Sequence, residues 1–546
     1  MTGTGPSNDR RVPRRVLLRG VGGATALALA GCVGGGSDGD GDGDSDGSDS
    51  GDGGGSGAGR LQLAQAKSPI EFDPVVLNDV PSAEVASQIF EAPYRFSREL
   101  ELVPELASGQ PEIERGGQRW VVPLNGDATF QNGDPVTASD VAYSYTAPLE
   151  EDTENAGEVN MIGTVEPVDE TTVQYDLGFE FGAFKWYLSR SVVPESVREA
   201  DRDAFNKGNP VGSGPFTFGD WNEGEFVELS RWDDYWGEPV PDLATVEFTP
   251  VEEGTTRITT LETGENDVVK GIPPQSWQTI GGMSNANVEA VEGVGYFYLA
   301  FNCNEGATAD PQVREAVDYA FSMDDAVEQF VEPTGVRQYA PVPGVLSEQW
   351  DFPVEEWADI PHEKDVDRAK TLLDDAEAVP DDWTAEIIVP PDNKRENIGV
   401  SVGNGIEAAG YSANVTRLDW SQFLERYNTG SADDYNMYML GWAGSPDPDT
   451  FMYFLFAQEQ EGVTNGTFYR NDQVDRDITQ ARLATDREER HSRYIDAITT
   501  ILEQRVHIPS YNLKNSFGVR DRVRDFVAHP TAQFRLISAG NNVSVE

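Results

Sequence analysis

Apolar and polar positions alternate along this chain in two rhythms, and both begin only at about residue 61. A period of two runs through Gln118-Arg119-Trp120-Val121-Val122-Pro123-Leu124, through residues 171–177 and through 225–230. Gly, Asp and Asn bound each run, which reads as a strand. A period near 3.6 starts at Asp310-Pro311, an N-cap aspartate with proline at the first helical position. Val313, Ala316, Val317, Ala320 and Phe321 then share one helical face. Asp365 opens a second helix with Val366, Ala369, Leu372, Leu373 and Ala376. Residues 487–505 predict a third, with Tyr494, Ile498, Ile501 and Leu502 inward. The strand-like Glu386-Ile387-Ile388-Val389 follows the second helix, so the alternation predicts an α/β fold with a sheet covered by helices. No internal repeat is present. About 490 residues carry these patterns, enough for two or three domains with proper cores.

Ahead of residue 61 the pattern changes. Arg14-Arg15-Val16-Leu17-Leu18-Arg19 precedes an apolar run that is too short and too glycine-rich to span a bilayer, which marks an export signal. The paired Arg14 and Arg15 imply export in the folded state through the twin-arginine (Tat) route. Leu29-Ala30-Gly31-Cys32 resembles a lipobox, in which Cys32 becomes the lipidated first residue of the mature protein. Residues 33–59 are almost entirely Gly, Asp and Ser, a composition that buries nothing and forms a self-repelling tether. Asp38-Gly39-Asp40-Gly41-Asp42-Gly43 mimics the start of a calcium loop, but Asp49 stands at position 12 and no helices can flank it. Gly35-Gly36-Ser37-Asp38-Gly39 mimics a hydrolase nucleophile turn without the strand and helix that turn requires. Both are accidents of low complexity. The expected organisation is a signal peptide over 1–31 and a lipidated Cys32 with its linker over 32–60, placing the protein on the outer face of the cytoplasmic membrane.

Charge changes the picture next. The chain has 40 basic residues against 95 acidic ones, a net charge of −55, and only eight of the basic residues are lysine. Residues 1–31 hold five Arg and one Asp, so the mature protein has 35 basic against 94 acidic residues, or −59. At low ionic strength such a surface repels itself. At molar salt the Debye length is about 3 Å, and the same surface keeps the protein soluble. The composition is that of an extreme halophile, and the charge excludes nucleic acid and anionic lipid as partners.

Little points to chemistry on a substrate. With Cys32 lipidated, Cys303 has no disulfide partner. His362, His491, His507 and His529 are scattered, with no zinc-binding spacing and no phosphate-binding loop. Neither a cofactor nor a metal is expected, and the chain is expected not to be an enzyme.

An ordered series of short motifs completes the reading. Phe72-Asp73-Pro74 precedes Gln88-Ile89-Phe90-Glu91-Ala92 and Pro104-Glu105-Leu106-Ala107. Phe130-Gln131-Asn132-Gly133-Asp134-Pro135-Val136-Thr137-Ala138-Ser139-Asp140-Val141 follows, then Val211-Gly212-Ser213-Gly214-Pro215-Phe216, Trp221 and Tyr235-Trp236-Gly237. Leu261-Glu262-Thr263-Gly264-Glu265-Asn266-Asp267-Val268, Phe301-Asn302, Ala369-Lys370-Thr371-Leu372-Leu373, Gly441-Trp442, Asp447-Pro448-Asp449 and Ile508-Pro509 close the series. The series resembles the extracytoplasmic solute-binding proteins of the peptide/nickel ABC-importer family (solute-binding family 5) over essentially all of residues 61–530. Taken one at a time, most motifs have structural readings. Gly212, Gly214 and Pro215 shape a tight turn, Asn132-Gly133 a hairpin turn, and Trp221, Tyr235 and Trp236 read as core.

The resemblance implies a two-lobed α/β fold of the type II periplasmic-binding-protein kind, with the ligand between the lobes. Lobe I would span 61–295 and 508–546 with an extra subdomain near 96–210, and lobe II 296–507. The crossings would fall near Tyr298–Asn302 and Ile508–Asn512. The implied function is capture of a peptide or peptide-like solute and delivery to an ABC permease and its ATPases, by a monomer. An oligosaccharide or other small solute is the alternative. A secreted lipid-anchored hydrolase or a surface structural protein is disfavoured, since no catalytic constellation and no repeat is visible. Peptide binders of this family carry an aspartate just after Gly-Trp that pairs with the ligand amine. Here Ser445 stands there, with Asp447 or Asp449 as possible substitutes or as turn chemistry. Asn302, Trp442, Ser445, Asp447 and Tyr511 are the ligand-binding candidates.

The charge yields one prediction. Compactness and secondary structure should be lost when salt falls from molar to about 0.1 M, where screening reaches only about 10 Å. Circular dichroism across a salt series checks this, and a melting temperature indifferent to salt would contradict it.

Overall fold

The structure, a computed structural model, describes residues 59–531, 534–538 and 541–546. Arg14, Arg15, Cys32 and the tether as far as Ala58 lie outside the described residues.

Local signals act as their chemistry dictates. Asp310 caps the helix Pro311–Ala320 by accepting from the Gln312 N–H, and Asp365 caps Val366–Asp375 through the Arg368 N–H. The third expected helix is Arg487–Glu503, with Tyr494, Ile498, Ile501 and Leu502 buried. The predicted strands are Arg119–Pro123, Thr172–Leu177, Phe226–Arg231 and Thr384–Val389. Trp120 and Val122 are buried on one face of the first, as a period of two requires.

A mixed sheet of 12 strands runs through the molecule, and the 14-residue strand His507–Arg520 is its spine. The first part of this strand pairs antiparallel with Gly295–Phe301, Ala300 facing His507. Beyond that come Met437–Ala443, then Thr384–Val389 and Ser412–Arg417 in parallel. The last part pairs with Val268–Lys270 and, on its other edge, with Ala286–Glu292. From Val268–Lys270 the sheet continues through Arg60–Gln65, Thr245–Pro250, Phe226–Arg231 and Phe216–Asn222. Two lobes therefore share one strand. The chain passes between them at Gly293-Val294 and again inside the spine, and the crossings are tied together: Asn512 Nδ2 donates to the Gly293 carbonyl at 2.7 Å.

This corrects the expected crossing at Tyr298–Asn302. Tyr298 faces Leu440 on one side and Pro509 on the other, in a strand whose seven residues are all buried. A strand covered on both faces belongs to a lobe core, and the passage precedes it.

A separate four-stranded antiparallel sheet, Glu112–Glu114, Arg119–Pro123, Thr172–Leu177 and Ile162–Asp169, forms the extra subdomain of lobe I. It is covered by the helix Ala138–Glu150, whose Thr137 and Asp140 make a reciprocal capping box. Its core is aromatic, with Tyr145 edge-on to Tyr175 and Phe184 edge-on to Trp120.

Several motifs resolve into structural devices. Gly133 has φ +88° at the tip of the Phe130–Asp134 turn, where Asp134 N–H bonds the Asn132 side chain at 3.0 Å. Gly212 and Gly214 serve a different need from the turn expected of them. Their backbone lies against the Ile89 carbonyl, and a Cβ on Gly214 would stand 2.7 Å from that oxygen. Trp221 packs edge-on to Phe72, while Tyr235 and Trp236 both donate to Glu91. No helix among the described residues is long and apolar enough to cross a membrane.

Candidate functional site

The strand Met437–Ala443 ends at the lobe boundary, and its continuation Gly444–Asp447 leads into the helix Pro448–Phe456. Every residue of that helix is buried, so it is fixed on all sides rather than amphipathic. Asp447 caps it, accepting from the Asp449 N–H at 2.9 Å, and Pro448 occupies the first turn. The loop is thereby fixed to the start of its own helix.

Between this loop and lobe I lies a cavity of about 390 Å³ with walls from both lobes. From lobe II come Trp442, Ser445, Phe454 and Arg482. The lobe I wall is one face of the helix Val80–Ile89, the strand Tyr94–Phe96 and the segment around Trp186–Arg190. Trp442 stacks on Phe454 with ring centroids 5.8 Å apart, and Phe96 stacks on Trp186 at 5.1 Å. The cavity thus has aromatic surfaces on both sides, the kind of wall that takes up a peptide side chain or a sugar ring.

Two of the five ligand-binding candidates line this cavity, Trp442 and Ser445. Ser445 Oγ is 2.6 Å from Thr450 Oγ1. The other three lie elsewhere. Asn302 accepts from the Asn304 and Glu305 N–H groups and ties the end of its strand to Tyr435 and Asn436. Tyr511 is buried in the sheet, its ring stacked on Phe297 at 4.5 Å.

Asp447 is fully buried behind the loop. Arg490 grips both its oxygens, Nη1 donating to Oδ2 at 2.9 Å and Nη2 to Oδ1. Burial pushes the Asp447 carboxyl up, but the Arg490 charge and its hydrogen bonds outweigh this and leave it below the ordinary value. Asp449 is paired with Arg482, yet burial dominates and pushes its carboxyl up to about 6. Neither aspartate is free to meet a ligand amine. The sequence suggested turn chemistry as their rival role, and the structure adds two buried ion pairs to it.

Asp447 also reaches across the cleft, because Trp186 Nε1 of lobe I donates to its Oδ2. Arg482 lies 3.8 Å from the Tyr453 ring centroid and 4.7 Å from that of Phe181 in lobe I. Gly182 leaves room for the Ala484 carbonyl of lobe II, which any Cβ there would strike. Gln349 Nε2 donates to the Leu100 carbonyl at 2.7 Å. The lobes are in direct contact around the cavity.

The cavity's charge is opposite to the protein's. Four arginines line it (Arg95, Arg190, Arg482, Arg535) against two acids, Asp79 and Glu158. Sequence reading missed all four, along with Phe454 and Trp186. Arg95 sits three residues beyond the Gln88–Ala92 motif, the nearest signal the chain offers. Among the described residues no group of three or more His, Cys, Asp and Glu is placed to hold a metal ion.

A two-lobed fold with a solute-sized cleft walled by both lobes defines a class, the solute-binding proteins. The family model for bacterial extracellular solute-binding proteins, family 5 Middle, matches residues 101–462, and the chain belongs to that family. It is a binding protein, not an enzyme, of a family that works outside the cytoplasm. The oligopeptide-binding protein AppA of Bacillus subtilis is 24% identical over 487 residues, covering 85% of this chain and 88% of AppA. The glutathione-binding protein GsiB of Pectobacterium atrosepticum is 25% identical over 439 residues, covering 78% and 83%. Among solved structures, HbpA2 of Haemophilus parasuis superposes with a TM-score of 0.79 at 22% identity, covering 89% of this chain and all of that one. DppA of Helicobacter pylori in complex with the peptide STSA gives 0.69 at 22% identity, covering 89% and 98%.

The Asp447–Arg490 pair generates a prediction. Arg490→Met leaves a buried carboxylate unpaired and should cost about 3–5 kcal/mol of stability. Adding Asp447→Asn should recover more than half of it. The pair's contribution is complete above the ordinary aspartate value of 3.8 and fades as pH falls below it, because the folded carboxyl is held lower. Urea denaturation in molar salt checks both, and an unmoved midpoint for Arg490→Met would contradict the structural role.

Proposed function

We propose that this chain is the extracytoplasmic receptor of an ABC importer, capturing a peptide or peptide-like solute between its lobes and handing it to a membrane permease. The observation that carries this reading is the cavity between the lobes, faced by Trp442 and Phe454 on one side and by Phe96 and Trp186 on the other. A volume of about 390 Å³ suits a small peptide or a similar solute. Relatives bear on the choice of solute: AppA and DppA have been solved with a nonapeptide and with the peptide STSA. In this reading lobe I comprises 61–295 and 508–546 with the extra subdomain near 96–210, and lobe II comprises 296–507. Solute that touches both lobes favours the closed arrangement in proportion to its differential affinity. Arg14 and Arg15 direct Tat export and Cys32 carries the lipid, so residues 33–59 tether a monomer on the outer face of the membrane.

Trp442 and Ser445 are the ligand-facing residues of lobe II in this proposal. Ser445 offers a neutral hydrogen bond where the family's peptide binders place a carboxylate, so affinity should not depend on a free amine.

Thermal-shift screening in molar salt tests the choice of solute. A random mixture of tri- to pentapeptides, at about 100 times its dissociation constant, should add roughly 2.7 kcal/mol of stability, an effect visible as several degrees of melting temperature. Trp442→Ala should lose that shift while staying folded. A shift with oligosaccharides and none with peptides would replace the peptide reading by the sugar one. Anchoring is tested separately: Cys32→Ser should release the protein from membranes, and its retention after a high-salt wash would overturn the lipoprotein reading.

A further inference from the structure

The cleft concentrates positive charge in a chain whose net charge is −55. Three of its four arginines are committed within the protein. Arg190 donates to Glu158 and to the Ser144 and Pro74 carbonyls. Arg482 is paired with Asp449 and packed between rings. Arg535 donates to Glu105 at 3.0 Å and to the Phe90 carbonyl at 2.8 Å. Arg95 differs. Its guanidinium makes no hydrogen bond and no ion pair among the described residues, although it is partly buried and lines the cavity.

The groups around Arg95 leave that charge uncompensated. Glu105 attracts it, but Glu105 is already held by Arg535 and by the Ala92 N–H at 2.8 Å. Glu91 is fully enclosed, bonded by Tyr235 at 2.6 Å and Trp236 at 3.0 Å. Burial and the neighbouring Glu105 push its carboxyl up to about 8, so it is neutral at pH 7. Two guanidiniums therefore face one carboxylate. A partly buried cation with five donors and no acceptor is costly unless a ligand supplies the acceptor.

Resting on the reading of the cleft as a solute site, we infer that Arg95 is the anchor for a carboxylate of the bound solute. The guanidinium fork takes both carboxylate oxygens, which fixes orientation as well as affinity. Arg535, held in place by Glu105 and Phe90, flanks it and repels any competing cation. Recognition then starts from the acidic end of the solute, on the lobe I wall, opposite Ser445. The source of the carboxylate is either the chain terminus of a peptide or an acidic side chain.

The test uses random tetrapeptides in three forms: free acids without Asp or Glu, their C-terminal amides, and amides that contain Glu. The purified protein is immobilised in molar salt, and bound peptide is measured by mass spectrometry. The parent should retain the free acids about tenfold better than the neutral amides, the gain expected of a charge-assisted pair. Arg95→Gln should erase that preference, and Arg95→Lys should keep part of it. Recovery of binding by the Glu-containing amides assigns the carboxylate to a side chain, and its absence assigns it to the terminus. Either result supports the anchor. Equal retention of acids and neutral amides by the parent, or an unchanged preference in a folded Arg95→Gln protein, overturns the anchor while leaving the peptide reading intact. No retention of any form by the parent removes the peptide reading and the anchor with it.

Discussion

The buried pair between Asp447 and Arg490 governs the geometry of the cleft. Removing two charges from water costs several kcal/mol each, and only close, multiply hydrogen-bonded geometry offsets this. Here Arg490 grips both oxygens of Asp447, and its Nε also donates to the Ala481 carbonyl at 3.1 Å. The pair binds the start of the helix Pro448–Phe456 to the helix Arg487–Glu503, and so sets the height of the loop that carries Trp442 and Ser445 into the cavity. The same carboxylate accepts from Trp186 of lobe I. One ion pair thus caps a helix, positions one wall of the site and touches the other.

That use of Asp447 explains the electrostatic character of the site. Asp447 and Asp449 are spent on Arg490 and Arg482, and at the surface of the cavity four arginines outnumber the two acids, Asp79 and Glu158. The acidic exterior and the cationic interior respond to salt differently. At molar ionic strength a surface charge is screened within about 3 Å, while partly buried pairs are screened much less. In molar salt, therefore, the acidic exterior would not cancel the positive charge that the cavity presents.

What the sequence revealed followed from how local each signal is. Caps at Asp310 and Asp365 are read from two or three adjacent residues, and both helices begin there. The position of Trp442 and Ser445 beside the cavity was legible because their loop follows a motif whose place in the fold is known. Asp447 was misjudged because its partner lies 43 residues away on another helix. Asn302 was tied to a crossing point placed several residues too late, so it falls inside a lobe core, while Tyr511 lies beside the second crossing but turns its ring into the sheet against Phe297. Gly212 and Gly214 answer to the Ile89 carbonyl, more than 120 residues earlier, and the sequence around them suggested only a turn. Arg95 carried no signal, since what distinguishes it is the absence of a partner, and that depends on every neighbour at once.

The contacts between the lobes also bear on how tightly a solute can be held. Trp186 with Asp447, Phe181 with Arg482 and Gly182 with Ala484 join lobe I to lobe II through the protein alone. For a receptor that closes on its solute, each such contact lowers the free energy of the closed arrangement without ligand, so less of the solute's binding energy goes into closing. The balance has a limit, because a closed state that is too stable on its own would hide the cavity from incoming solute. Most of these contacts are few-atom and polar or cation–π in kind, worth about 0.5–2 kcal/mol each. Broad apolar burial between the lobes would exceed that limit; here the aromatic surface is reserved for the cavity walls. On the proposed reading, the geometry leaves the larger share of closing energy to a solute that would bridge Trp442 and the helix Val80–Ile89, which is the condition for closure to report that the site is filled.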